Sequence, residues 1–191
     1  MTNIAIFASG TGTNAKNIID YFHKSQEICI KAIFCNNPNA GILKSEIPTH
    51  IERILFTKEE FYDKEVIEQQ LELMNIEYII LAGFLLLIPC NIIERYKNRI
   101  INIHPALLPK FGGKGMYGMN VHRAVIESGE KETGITIHTI DSKYDGGETI
   151  FQAKCPVEPD DTPESVAAKV HALEYRYFPK QIERYISLFH V

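Results

Sequence analysis

Apolar residues recur on two periods along this chain. Residues 3–8 (NIAIFA), 28–35 (ICIKAIFC) and 78–82 (YIILA) are short, nearly continuous apolar runs, the pattern of strands buried on both faces. Between them, apolar positions fall at helical spacing. Ile18, Ile19 and Phe22 mark a helix over 14–22, and Ile67, Leu71 and Met74 mark one over 59–74. A short helix at 92–96 and a strand at 99–103 follow. The pattern then changes: residues 134–140 (GITIHTI) alternate, turn residues Asp145, Gly146 and Gly147 intervene, and a second strand covers 149–154, which predicts an antiparallel pair. A helix is expected from Thr162, with Thr162 as N-cap and Pro163 at its first position, and Pro179 should interrupt or kink it.

The β-α-β-α order predicts an α/β fold, a mainly parallel twisted sheet with helices on both faces and an antiparallel hairpin in the C-terminal half. Length suits one domain over 1–191. In such a sheet, ligands bind beyond the carboxyl ends of the strands. Segments directly after strands are therefore the places to look for chemistry.

Composition narrows the choices. A net charge of −4 argues against a general nucleic-acid binder. Cys29, Cys35, Cys90 and Cys155 form no C-x-x-C pair, and they read as thiols in a reducing compartment. The longest apolar stretch, 78–90, is too short to span a membrane and is broken by Gly83 and Pro89. With no signal-peptide pattern after Met1, the expected location is the cytoplasm.

Four segments carry candidate chemistry. Residues 9–14 (SGTGTN) lie between the first strand and the first helix, where glycine backbone and a helix N-terminus suit phosphate. Asn14 is a candidate N-cap there, and an ordinary tight turn is the alternative. Neither a P-loop lysine nor the third glycine of a dinucleotide fingerprint is present. Asn102 and His104 are two apart at a strand end, so they point to one face, an amide beside an imidazole suited to acyl transfer. Asp145, ahead of two glycines, either belongs to plain hairpin chemistry or turns inward to pair with His104. Residues 81–89 (LAGFLLLIP) form either simple core or the wall of a pocket for a flat heteroaromatic ring.

Taken together, SGTGTN (9–14), LAGFLLLIP (81–89), INIHPALLPKFGG (101–113), VHRAV (121–125), GITIHTID (134–141), DGGETIFQAKCPV (145–157) and LEYRYFP (173–179) resemble the folate-dependent formyltransferase family, in its phosphoribosylglycinamide branch. The likeness runs from residue 3 to about 178. It implies a Rossmann-like fold with a phosphate-binding half, 1–100, and a catalytic and folate-binding half, 101–191. It also implies direct transfer of a formyl group from 10-formyltetrahydrofolate, a co-substrate, to the amine of glycinamide ribonucleotide, without a metal.

By the same resemblance, Asn102 would hold the formyl oxygen and His104 would carry the proton. Asp145 would set the ionisation and position of His104 through an ordered water. Gly12, Thr13 and Asn14 would grip the substrate phosphate, and Glu174 would contact the ribonucleotide. Leu85, Leu86, Leu87 and Ile88 would line the folate pocket, completed by backbone around Asp141 to Asp145. Leu86 stands where many relatives carry arginine, and Lys58 would supply a basic group to the glutamate tail. The long glycine-rich loop 110–120 is expected to act as a mobile lid. Expected partners are the two small molecules, with no nucleic acid and no membrane, and the chain is expected to be a monomer or homodimer. The alternatives are another formyl-folate enzyme, a hydrolase or a different formyltransferase, and a non-catalytic nucleotide-binding module. The last would not need Asn102, His104 and Asp145 together.

Overall fold

The fold is described from a computed structural model, which covers residues 1–63 and 65–189. The chain divides into two compact units, Met1–Ile101 and Asn102–Val191. Seven strands form one mixed sheet in the order β3-β2-β1-β4-β5-β6-β7, where β1 is Thr2–Phe7, β2 Ile28–Cys35, β3 Glu52–Leu55, β4 Tyr78–Leu81, β5 Ile100–His104, β6 Glu132–Thr139 and β7 Thr149–Pro156.

In the first unit β1 pairs in parallel with β2 and β4, and β2 with β3. The apolar runs form strands because they sit inside this sheet: Ile4 to Ala8 and Ala32 to Cys35 are fully buried. Five phenylalanines fill one side of the core. Phe7 stacks on Phe34 at 4.7 Å between ring centres, and Phe84 meets Phe7 edge-on at 5.3 Å. Phe56 and Phe61 stack at 5.2 Å beside them. Such pairs add roughly 0.5–1.5 kcal/mol each beyond the area they bury. Phe84 thereby pins the chain leaving β4, while the next residue, Leu85, is half exposed.

Three helical expectations need correction. Helix α1, Thr13–Phe22, is capped by Gly12 in the left-handed conformation, not by Asn14, and no side chain bonds its first N–H groups. The single helix expected over 59–74 is two, α3 (Lys58–Tyr62) and α4 (Val66–Leu73). A Thr57–Glu60 capping box starts α3. Asp63 then turns extended and accepts the Glu65 N–H at 3.2 Å, a local partner that competes with helix continuation. Pro179 does not interrupt α7, which runs unbroken over Pro163–Phe189. Proline removes one hydrogen bond there, but Phe178, Ile182 and Ile186 keep the helix face buried across it. The expected Thr162 cap is present, with its hydroxyl accepting the Ser165 N–H and the Ser165 hydroxyl accepting the Thr162 N–H.

Two further short helices, α2 (Gly41–Lys44) and α5 (Cys90–Arg95), complete the first unit. The second unit has α6, Met119–Glu127, and α7 beside the antiparallel pair β6–β7. Buried positions on α7 repeat every fourth residue: Val166, Val170, Glu174, Phe178, Ile182 and Ile186. Glu174 is thus a carboxylate, 5% exposed, in the middle of an apolar stripe. No helix among the described residues is long and apolar enough to cross a membrane.

Candidate active site

In the first unit, the segment after β1 is held by side chains rather than by chance packing. The Ser9 hydroxyl donates to Asn36 Oδ1 at 2.7 Å and accepts the Leu85 N–H at 3.1 Å. Asn37 Nδ2 donates to the Ser9 carbonyl at 3.0 Å. Ser9 therefore ties the ends of three neighbouring strands, and it joins the 9–14 loop to the apolar 85–88 segment. Gly12 has φ 80°, and a Cβ there would overlap the side chain of Ile42. Only glycine fits both demands. Thr13 is exposed, Asn14 half buried, and the uncapped start of α1 lies at these residues.

Leu85 is 49% exposed, Leu86 and Leu87 are intermediate, and Ile88 is buried. This is a partly open apolar wall. The Tyr62 hydroxyl donates to the Leu87 carbonyl at 3.1 Å, fixing α3 against that wall. Lys58, at the start of the same helix, is exposed.

In the second unit the end of β5 projects Asn102 and His104. His104 is 3% exposed. Its Nδ1 lies 3.3 Å from Asp145 Oδ1, a direct contact with no space for the bridging water expected from the sequence. Its Nε2 lies 2.8 Å from the carbonyl oxygen of Phe111. That oxygen can only accept, so Nε2 carries hydrogen. Asp145 Oδ2 accepts the Gly113 N–H at 2.7 Å. Burial pushes the Asp145 carboxyl up, but the hydrogen bond and charge of His104, with the Gly113 bond, outweigh it and hold the group below its ordinary value.

The turn that presents Asp145 is sterically demanding. Asp145 has φ 52°, and Gly147 has φ 102° with no space for a Cβ against the Thr139 carbonyl. A Cβ on Gly146 would collide with the Asp141 carboxylate, whose Oδ1 accepts the Lys143 N–H at 2.7 Å. Asp141 and Asp145 are therefore brought together by the turn. Glu174 is on α7, among its buried residues.

Three groups at this site carried no signal in the sequence. His138 on β6 contacts Asn102 Nδ2 at 3.1 Å through its Nε2. The Phe111 carbonyl is a backbone group, held with Phe111 at φ 56°, a conformation unusual for a bulky side chain. Thr136 clamps the chain after His104: its hydroxyl donates to the Ala106 carbonyl at 2.7 Å and accepts the Leu108 N–H at 2.9 Å. The start of the 110–120 loop is thus fastened to both His104 and Asp145.

His122 on α6 is a fourth buried group, 1% exposed. Burial first, and then the nearby rings of His171 and His104, lower its pKa to about 4. A group whose folded pKa lies below its unfolded value of ~6.5 stabilises the protein above that value, and the contribution is lost as pH falls toward the folded pKa. Wild-type protein should lose about 3 kcal/mol of stability from this source between roughly pH 6.5 and 4. Urea unfolding across that range should show His122→Leu lacking this part of the acid loss. Parallel curves would contradict it. Among the described residues, no group of three or more His, Cys, Asp or Glu side chains is placed to hold a metal.

Comparison with known proteins gives consistent matches. The formyl transferase family profile covers residues 2–182. A chloroplastic phosphoribosylglycinamide formyltransferase from Vigna unguiculata is 37% identical over 185 residues, 94% of this chain and 59% of that protein. The phosphoribosylglycinamide formyltransferase of Bacillus subtilis is 32% identical over 193 residues, 98% of this chain and 96% of that protein. The chain therefore spans less than two thirds of the plant relative's length and nearly all of the bacterial one's. A crystal structure of phosphoribosylglycinamide formyltransferase from Bacillus halodurans matches with a TM-score of 0.87 at 31% identity, covering 97% of this chain and 96% of that one.

Proposed function

Because this chain belongs to the formyl transferase family, we propose that it moves the formyl group of 10-formyltetrahydrofolate onto the amine of 5-phosphoribosylglycinamide, a step of purine (IMP) synthesis. The observation that carries this reading is the contact of Asp145, from the turn after β6, with His104 on the strand end that also bears Asn102. The names of the relatives support the choice of acceptor.

The amine nitrogen attacks the formyl carbon, and the carbonyl electrons move onto its oxygen. Asn102 Nδ2 and His104 Nε2 donate hydrogen bonds to that oxygen where its charge develops. The attacking nitrogen loses a proton, and the folate N10 gains one as its bond to the formyl carbon breaks. His104 moves the proton, and the Asp145 carboxylate compensates the charge on the ring. No covalent bond to the protein forms. In the conformation described, the Phe111 carbonyl takes the Nε2 hydrogen that this step needs. Phe111 must therefore release His104 when substrates bind, which gives the 110–120 loop its role as a lid.

The other assignments follow the same reading. Gly12, Thr13 and Asn14 receive the substrate phosphate at the open start of α1, where N–H groups and the helix dipole favour an anion. Glu174, buried on α7, binds ribonucleotide hydroxyls. Leu85, Leu86, Leu87 and Ile88 face the pterin ring, Asp141 to Asp145 supply backbone to it, and Lys58 serves the glutamate tail.

The test is release of deformylated folate, followed spectrophotometrically with three acceptors: glycinamide ribonucleotide, its dephosphorylated ribonucleoside, and none. Release should require the acceptor, and removing the phosphate should raise KM by about 100-fold or more, the size of a few charge-assisted hydrogen bonds. Equal rates with and without acceptor would identify a hydrolase instead.

A further inference from the structure

We propose that His138 is a positioning residue for the transfer reaction, fixing which atom of the Asn102 amide meets the formyl oxygen. The inference rests on the formyl-transfer reading above and adds to it a residue that acts through Asn102.

His138 is 1% exposed on β6 and lies 36 positions beyond Asn102 in the chain. Its Nδ1 is 2.7 Å from the Thr139 carbonyl oxygen and 3.1 Å from that of Gly146. Both oxygens can only accept, so Nδ1 carries hydrogen. Burial holds the ring's pKa below its ordinary value, against the two carbonyl bonds and the nearby Asp145, and with His104 acting in the same sense as burial. A neutral ring with hydrogen on Nδ1 presents a bare lone pair at Nε2. That lone pair faces Asn102 Nδ2 at 3.1 Å, so Asn102 donates one amide hydrogen to it. The second hydrogen on the same nitrogen stays available for an incoming oxygen. With the amide turned over, Oδ1 would face the Nε2 lone pair, acceptor against acceptor. The carbonyl of Gly146 is the second link: one imidazole sets the Asn102 amide and also holds the turn that presents Asp145.

Two experiments test this. Long-range proton–nitrogen NMR of the wild-type protein should show His138 as the neutral tautomer with hydrogen on Nδ1 at pH 7. In kinetics, His138→Leu should lower kcat about 100-fold while both KM values change by less than about threefold. His138→Gln, whose amide oxygen takes the place of Nε2, should recover to within about tenfold of wild type. In an Asn102→Ala background, His138→Leu should cost no more than about tenfold, because the group it orients is gone and only its hold on the Gly146 turn is lost. A packing role alone would give equal losses in both backgrounds and no recovery with glutamine. Hydrogen on Nε2, or equal losses in the two backgrounds, would overturn the proposal. A wild-type protein that transfers no formyl group would overturn the functional reading and this role with it. Wild-type transfer with equal losses would overturn the role alone.

Discussion

His104→Ala is expected to lower kcat by about 1,000-fold, because it removes both the proton carrier and a donor to the developing oxyanion. Asp145→Asn should cost somewhat less, about 100-fold, since it leaves the ring in place but deprives it of a compensating charge. The two losses should not add. Asp145 acts through His104, with Nδ1 and Oδ1 3.3 Å apart, so the double variant should resemble His104→Ala alone. Steady-state rates of the three variants at saturating donor and acceptor measure this. Multiplicative losses would mean that Asp145 has a separate role, such as holding Gly113 and the loop that follows it.

Gly134→Ala is expected to destabilise the fold by about 3 kcal/mol or more, the range of an overpacked site that cannot relax. The backbone at Gly134 is not left-handed, so the reason is space alone. A Cβ would run into the carbonyl oxygen of Ala153 on the paired strand and come within 3.0 Å of a Leu107 methyl. The Ala153 oxygen belongs to the β6–β7 ladder and has nowhere to go. Close approach at Gly134 also lets Thr136, two residues on, clamp Ala106 and Leu108 just beyond His104. Urea unfolding provides the test, with Gly129→Ala as the comparison. Gly129 has φ 68° and open space around it, so that variant should cost only about 1 kcal/mol from backbone strain. Similar losses in the two variants would show that crowding at Gly134 is relieved elsewhere.

Legibility in the sequence followed burial. Strands β1, β2 and β4 could be read because both their faces are covered, leaving nearly unbroken apolar runs. Strand β3 could not, since its four residues, Glu52–Leu55, are mostly exposed. Helix α6 buries Val121, His122 and Val125, and an imidazole at a core position obscures the apolar period. Helices α3 and α4 share one apolar spacing, and the break between them depends on the side chain of Asp63.

The same distinction holds for the site. His104 and Asp145 each stand beside a local signal, a strand end before proline and a double-glycine turn; the residues alone left Asp145 open between hairpin chemistry and that pairing, and the family resemblance implied the pair. His138 sits in a strand whose other residues explain themselves as core, and its meaning depends on Asn102, distant in sequence. The Phe111 carbonyl has no signature at all, since any residue supplies one. Backbone groups and residues that orient other residues become visible only when the fold has brought them together.

The most direct measurement of the central claim is carbon NMR of the reaction with a donor labelled at the formyl carbon. The label should leave the folate N10 and appear as the formamide of the ribonucleotide product, at a rate cut about 1,000-fold in His104→Ala. Label recovered as free formate, or left on the folate in the presence of acceptor, would contradict it.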